Sequence, residues 1–137
     1  MSDERKRRIV AVDDDARTLR LLVDALGSED RHVLTFENGE VALTYLTETG
    51  NCDLLILDIE MPGLDGFAVA SAVRQLSHLA SMPILALTGM TGPDDAVRIL
   101  QAGADAYRSK PIDIVELRRL VDSLVAGAAS DGSAPSP

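Results

Sequence analysis

Asp58 closes the apolar run Leu54-Leu55-Ile56-Leu57, and Met61-Pro62-Gly63-Leu64-Asp65-Gly66 follows almost at once. Asp13-Asp14-Asp15 ends a second apolar run, Ile9-Val10-Ala11-Val12. Thr88 ends a third, from Pro83 to Leu87, and Lys110-Pro111 follows a short fourth from Asp105 to Ser109. Brought to one place, these groups define a narrow chemistry. Carboxylates a few ångströms apart repel by several kcal/mol at a protein-like dielectric. A proton on one of them, or a cation among them, relieves the repulsion. Oxygen donors with no His or Cys at a strand end suit a hard octahedral ion such as Mg²⁺, held at roughly 2 Å with several waters retained. Mg²⁺ with few protein ligands ordinarily completes its shell with phosphate oxygens. Lys110 adds a second positive charge. The set therefore suits a phosphoryl group beside a carboxylate, and a carboxylate nucleophile that becomes an aspartyl phosphate is an established chemical role. Phosphoryl transfer asks chiefly for positioning and charge neutralisation.

The elements that must position these groups are legible as an alternation. Ile9 to Val12 is expected as strand one. Ala16 to Leu26 is helical, with Leu19, Leu22, Val23 and Leu26 as its apolar stripe and Gly27 as its stop. Strand two is His32 to Phe36. Asn38-Gly39 turns into a second helix, Glu40 to Thr49. Asp53 to Leu57 is strand three. Asp65 caps a third helix to about Ser77. Strand four is Pro83 to Leu87, and Pro93 suits the first turn of helix four, which Gly103 ends. Strand five is Asp105 to Ser109. Asp113 caps helix five, with Leu117, Leu120, Val121 and Leu124 facing inward. Strict alternation predicts an α/β fold, a five-stranded parallel sheet with helices on both faces. Right-handed crossovers point all the strands one way. Asp13, Asp14, Asp58, Thr88 and Lys110 then share one edge of the sheet, the edge where α/β proteins bind ligands.

The totals narrow the setting. The 137 residues fit one domain. A net charge of −9 argues against direct nucleic-acid binding. No apolar stretch reaches membrane-spanning length, and the charged N-terminus lacks the apolar segment of a secretory signal. The single Cys52 cannot pair within the chain and is expected to pack near the core, in a reducing, cytoplasmic setting. Residues 1–7 are expected to fray and 8–126 to form the domain. Residues 127–137, rich in Ala, Ser, Gly and Pro, are expected as a disordered tail or a truncated linker.

In this order and spacing, the chain resembles the receiver domains of two-component response regulators, chemotaxis regulators among them, over about Arg8 to Val125. The matching pieces are Val12-Asp13-Asp14-Asp15, Leu57-Asp58 with Met61-Pro62 and Asp65-Gly66, Leu87-Thr88, and Gly103-Ala104-Asp105-Ala106-Tyr107 leading to Lys110-Pro111. The resemblance implies a flavodoxin-like doubly wound sheet of order 2-1-3-4-5. It implies that Asp58 accepts a phosphoryl group from a phosphohistidine on a sensor histidine kinase or histidine phosphotransfer protein. Asp14 would ligate Mg²⁺ directly, Asp13 largely through water, and Asp58 and the Glu60 backbone carbonyl would complete the protein ligands. Lys110 would bind a phosphoryl oxygen. Thr88 would swing to another, and Tyr107 would turn inward, carrying the change to the face of helix four, strand five and helix five. The Lys110-Pro111 bond would be cis. The protein would be a signalling switch that catalyses its own phosphorylation and dephosphorylation. It would be a monomer or a phosphorylation-dependent dimer acting on a downstream protein partner. Glu60 and Met90 occupy the neighbouring positions that influence phosphoryl lifetime in the family.

The stand-alone receiver is the leading reading. A receiver module from a hybrid histidine kinase or a multidomain regulator is its alternative. Outside the class, an aspartyl-nucleophile phosphatase of the haloacid-dehalogenase type would want Asp-x-Asp-x-Thr, and Asp58-Ile59-Glu60-Met61-Pro62 departs from it. A flavodoxin-like FMN binder would meet repulsion from Asp13-Asp14-Asp15 at its phosphate. Asp15 and Asp65 read as helix caps, Gly66 as a tight backbone position, and His32 and His78 as structural or exposed.

Overall fold

The computed structural model describes residues 7–49, 52–90 and 92–129. Five strands alternate with helices: β1 (Arg7–Val12), α1 (Ala16–Leu26), β2 (Arg31–Phe36), α2 (Gly39–Thr49), β3 (Leu54–Asp58), α3 (Gly66–Arg74), β4 (Ile84–Thr88), α4 (Pro93–Ala102), β5 (Ala106–Ser109) and α5 (Ile114–Ala129). The strands are all parallel, in the order β2-β1-β3-β4-β5. This is the predicted flavodoxin-like doubly wound fold.

Alternation of side chains along the strands divides the core into two layers. Val10, Val12, Leu55, Leu57, Ile84 and Ala86 face one way and meet Ala42 and Leu46 of α2, Val69, Ala70 and Val73 of α3, and Ile99 of α4. Ile9, Ala11, Leu54, Ile56, Leu85 and Leu87 face the other way, against Leu19, Leu22 and Leu26 of α1 and Leu117, Val121 and Val125 of α5. Every residue of β3 and β4 is buried, which explains their unbroken aliphatic sequence. The edge strands β2 and β5 are only half-buried.

Caps and turns fix where the helices begin. The Asp15 carboxylate accepts the Arg17 N–H at 2.9 Å, and the Asp65 carboxylate accepts the Ala68 N–H at 3.0 Å. Asn38 Oδ1 accepts from Glu40 at 2.7 Å, which opens α2 one residue earlier than expected. Asp113 Oδ1 accepts the Glu116 N–H at 3.1 Å.

Several expectations are corrected. Helix α3 stops at Arg74, not near Ser77. The Gln75 and Leu76 amides reach back only three residues, to Ala72 and Val73, and a 3₁₀ turn at Ser77–Leu79 follows. Val23 is 39% exposed, because the α1 stripe narrows to Leu19, Leu22 and Leu26. In α5, Leu117, Val121 and Val125 are buried, while Leu120 and Leu124 pack only at the margin. Arg7 belongs to β1, since it pairs with Arg31 and donates to the Asp30 carbonyl at 2.9 Å. Helix α5 continues through Ala129, past the expected end of the domain at 126. The remaining expectations for the two termini, residues 1–6 and 130–137, lie outside the described residues.

Candidate functional site at the carboxyl edge of the sheet

Strand register brings the predicted residues level with one another. Val12 pairs with Leu57, Asp58 with Leu87, and Thr88 with Ser109. The residues at or just past these ends are Asp13, Asp14, Asp58, Thr88 and Lys110. Asp58 and Thr88 are the last residues of their strands rather than the first beyond them, so backbone ladders hold them rigidly. Ile59 still donates to the Leu87 carbonyl at 3.0 Å, and Lys110 donates to the Thr88 carbonyl at 2.8 Å.

Three of the polar side chains are buried: Asp13 at 1%, Asp58 at 2% and Thr88 at 0% exposure. Asp14 is exposed. One oxygen from each of Asp13, Asp14 and Asp58 lies within 4.8 Å of the others. Lys110 Nζ bridges two of the acids, at 3.0 Å from Asp13 Oδ2 and 3.2 Å from Asp58 Oδ1. The Asp15 N–H donates to Asp13 Oδ1 at 2.9 Å, which orients that carboxylate. The Glu60 N–H donates to Asp58 Oδ1 at 3.2 Å. Both donors therefore converge on one oxygen of Asp58, and Oδ2 has no protein donor among the described residues.

The electrostatics follow from this crowding. Burial, then the Asp13 charge, pushes the Asp58 carboxyl up to about 6, against the smaller opposing pull of Lys110 and the Glu60 N–H. Lys110 loses some basicity to burial. Its hydrogen bond to Asp13 and the charges of Asp58 and Asp13 outweigh that loss and leave its pKa above the ordinary value. One ammonium answers three carboxylates, so a second cation is electrostatically favoured here. The donors are all hard oxygens and Asp14 opens the cluster to solvent, which fits a divalent ion of the Mg²⁺ kind.

Below the rim, α3 starts directly under the end of β3. A side chain added at Gly66 would meet the Asp58 carbonyl at 2.5 Å and Ile59 Cα at 2.6 Å, so this close approach demands glycine. The Gly66 N–H donates to the Ile59 carbonyl at 3.0 Å, clamping the loop after Asp58. Gly63 provides the positive φ of 75° that the loop needs to turn.

Thr88 Oγ1 accepts the Met90 N–H at 2.9 Å. Tyr107 is half-buried in β5, level with Ala86, and packs against the layer that includes α4. It also lines a surface groove of about 500 Å³ with Leu100, Asp105, Arg108 and Glu116, between α4, β5 and α5. The Lys110-Pro111 peptide is cis, as expected. His32 is exposed, and His78 Nε2 lies 3.1 Å from the Leu46 carbonyl, away from the rim.

Two features escaped the sequence. Glu60 Oε1 accepts the Gly89 N–H at 2.8 Å, a contact to the loop after Thr88 that the expected roles of Glu60 do not include. The Arg74 guanidinium donates to the carbonyls of Gly103 at 2.9 Å and Met82 at 2.7 Å, and to Asp105 Oδ2 at 2.8 Å. Neither contact has a local signature, because each joins segments that meet only after folding.

Comparison with known proteins is consistent along the chain. Residues 9–122 match the response regulator receiver domain family. The transcriptional regulatory protein PcoR of Escherichia coli is 37% identical over 127 residues, covering 93% of this chain and 55% of PcoR. The sensor histidine kinase GacS of Pseudomonas protegens is 35% identical over 120 residues, covering 85% of this chain and 13% of GacS. The chain thus spans about half of one relative and a small part of the other. Among solved structures, the chemotaxis response regulator CheY4 of Vibrio cholerae aligns with a TM-score of 0.81 at 28% identity, covering 88% of this chain and 99% of that one. A CheY-like receiver domain from Methanospirillum hungatei aligns with a TM-score of 0.84 at 26% identity, covering 93% and 100%.

Proposed function

The chain belongs to the response regulator receiver domain family, and from that premise we propose that it is a Mg²⁺-dependent phosphoacceptor switch with Asp58 as the acceptor. The observation that carries the proposal is the buried pair of acids, Asp13 and Asp58, joined by Lys110 at 3.0 and 3.2 Å with Asp14 at the mouth. Asp58 is the acid whose position at a strand end, held by the Lys110 and Glu60 donors on Oδ1, leaves Oδ2 free to attack. The attack forms a bond from Oδ2 to phosphorus and breaks the phosphorus–nitrogen bond of a phosphohistidine. The departing imidazole nitrogen takes up a proton from water at the open mouth of the site and leaves as neutral histidine. Asp13, Asp14, Asp58 and the Glu60 backbone carbonyl would hold Mg²⁺, which neutralises charge on the transferred group. Lys110 would pair with one phosphoryl oxygen and draw it toward the rim.

The switch is the loop after Thr88. A phosphoryl group carries about −1.5 to −2 charge and three acceptor oxygens. The Thr88 hydroxyl, now engaged with the Met90 N–H, would turn to donate to it. Movement of Thr88 would free space on the face it shares with Ala86, and Tyr107, half-buried and level with Ala86 on β5, would turn into it. That motion would reshape the groove between α4, β5 and α5, the face offered to a downstream partner. The phosphodonor is a histidine kinase or a phosphotransfer protein, in a cytoplasmic setting that suits the single Cys52. The module would act alone or joined to further domains. Among the described residues no helix is long and apolar enough to cross a membrane.

Intact mass spectrometry after incubation with Mg²⁺ and a small acyl-phosphate donor tests the proposal. The parent should gain one phosphoryl group, Asp58→Asn should gain none, and a chelator should abolish the gain in the parent. A parent that stays unmodified with fresh donor and Mg²⁺ would remove the phosphoacceptor role.

A further inference from the structure

Two loops form the mouth of the acidic rim, one after Asp58 and one after Thr88. The Glu60 side chain ties them together, its Oε1 accepting the Gly89 N–H at 2.8 Å. Its own backbone N–H donates to Asp58 Oδ1 at 3.2 Å. Glu60 thus touches the acceptor with its backbone and the loop beyond Thr88 with its side chain. Thr88 is fixed in the same turn by the Met90 N–H. A side chain added at Gly89 would lie 3.3 Å from Glu60 Oε1, so glycine there permits the carboxylate's close approach.

We propose that Glu60 is a positioning residue, a latch that holds the loop after Thr88 as observed and yields when Asp58 gains a phosphoryl group. The inference rests on the phosphoacceptor reading above. A phosphoryl group would place negative charge two residues from Glu60 and offer the Gly89 N–H another acceptor. Like charge pushes the Glu60 carboxylate away just as its partner is drawn elsewhere. One N–H cannot fully serve both acceptors, so the latched loop and the phosphorylated site exclude each other. By linkage, whatever stabilises the latched loop lowers the site's affinity for a phosphoryl group. Both residues are exposed, so the contact is modest and the effect is a matter of several-fold.

The full chain can be titrated calorimetrically with beryllofluoride, a phosphoryl mimic, at saturating Mg²⁺. The parent is compared with Glu60→Gln and Glu60→Ala. Both variants lose the charge, but glutamine keeps an acceptor of the same reach. The latch predicts affinity about threefold to tenfold higher in Glu60→Ala and a smaller gain in Glu60→Gln. It also predicts that the Gly89 amide resonance of the ligand-free Glu60→Ala protein is already displaced from its parent position. Equal gains in the two variants overturn the latch, because charge alone then explains them. So does unchanged or weaker binding in Glu60→Ala. Asp58→Asn checks the premise separately. If the parent does not bind, or binding persists in Asp58→Asn, the phosphoacceptor reading falls and the latch falls with it.

Discussion

Asp58 is held in a costly state. Its side chain is 2% exposed beside Asp13, and Lys110 compensates only in part. With its pKa at about 6 rather than 3.8, the folded protein takes up this proton before the unfolded chain does. Stability in Mg²⁺-free buffer should therefore rise as pH falls from about 6 toward 4, as far as this group is concerned, and the charged form should subtract stability above pH 6. Asp58→Asn removes the charge and keeps the shape. We expect it to stabilise the Mg²⁺-free protein at pH 7.5 by on the order of 2 kcal/mol, and to flatten the pH dependence between 6 and 4. Urea midpoints across that range measure both effects. Buried, unfavourable charge at a strand end is a common signature of a reacting group. Cys52 shows the opposite case. Burial pushes its thiol up to about 12, which marks it as packing rather than chemistry.

The element that sets the position of Asp58 is the junction of β3 and α3. Asp65 caps the helix, and Gly66 brings its backbone under the Asp58 carbonyl with no room for a side chain. Gly66→Ala should shift the loop after Asp58, cost about 2 kcal/mol or more in stability, and slow phosphorylation more than it weakens Mg²⁺ binding. Denaturant unfolding and the rate of phosphoryl uptake read out the two parts. A stable variant with unchanged uptake would show that the close approach does not tune the acceptor. The sequence announced Asp65-Gly66 as a cap and a tight position, because both devices are local. It did not announce Arg74, whose guanidinium closes the turn after α3 and ties it to Gly103 and Asp105. It also misplaced the end of α3, where the chain tightens to a 3₁₀ turn instead of continuing its apolar period. Arg on an exposed-looking helix end is ordinarily solvated, and only the fold shows that this one is not.

At the scale of the whole molecule, alternation of aliphatic runs with helical stripes was sufficient for the architecture. Parallel strands connected by right-handed crossovers leave one edge for all the strand ends. That rule alone assembled Asp13, Asp14, Asp58, Thr88 and Lys110, and the register of the ladders placed them level. The strand order came from resemblance, since composition and period do not distinguish one parallel order from another. Side-chain contacts across loops, such as Glu60 with Gly89, stayed invisible because spacing along the chain carries no information about them. On the proposed function, this edge makes an acyl phosphate on Asp58 and on no other acid. Borohydride trapping tests it most directly, since hydride reduces an acyl phosphate to an alcohol and releases the phosphate. After treatment with Mg²⁺ and phosphodonor, peptide sequencing should find homoserine at position 58 and unmodified aspartate at Asp13 and Asp14. Homoserine at Asp13 or Asp14, or at none of the three, would overturn Asp58 as the sole phosphoacceptor.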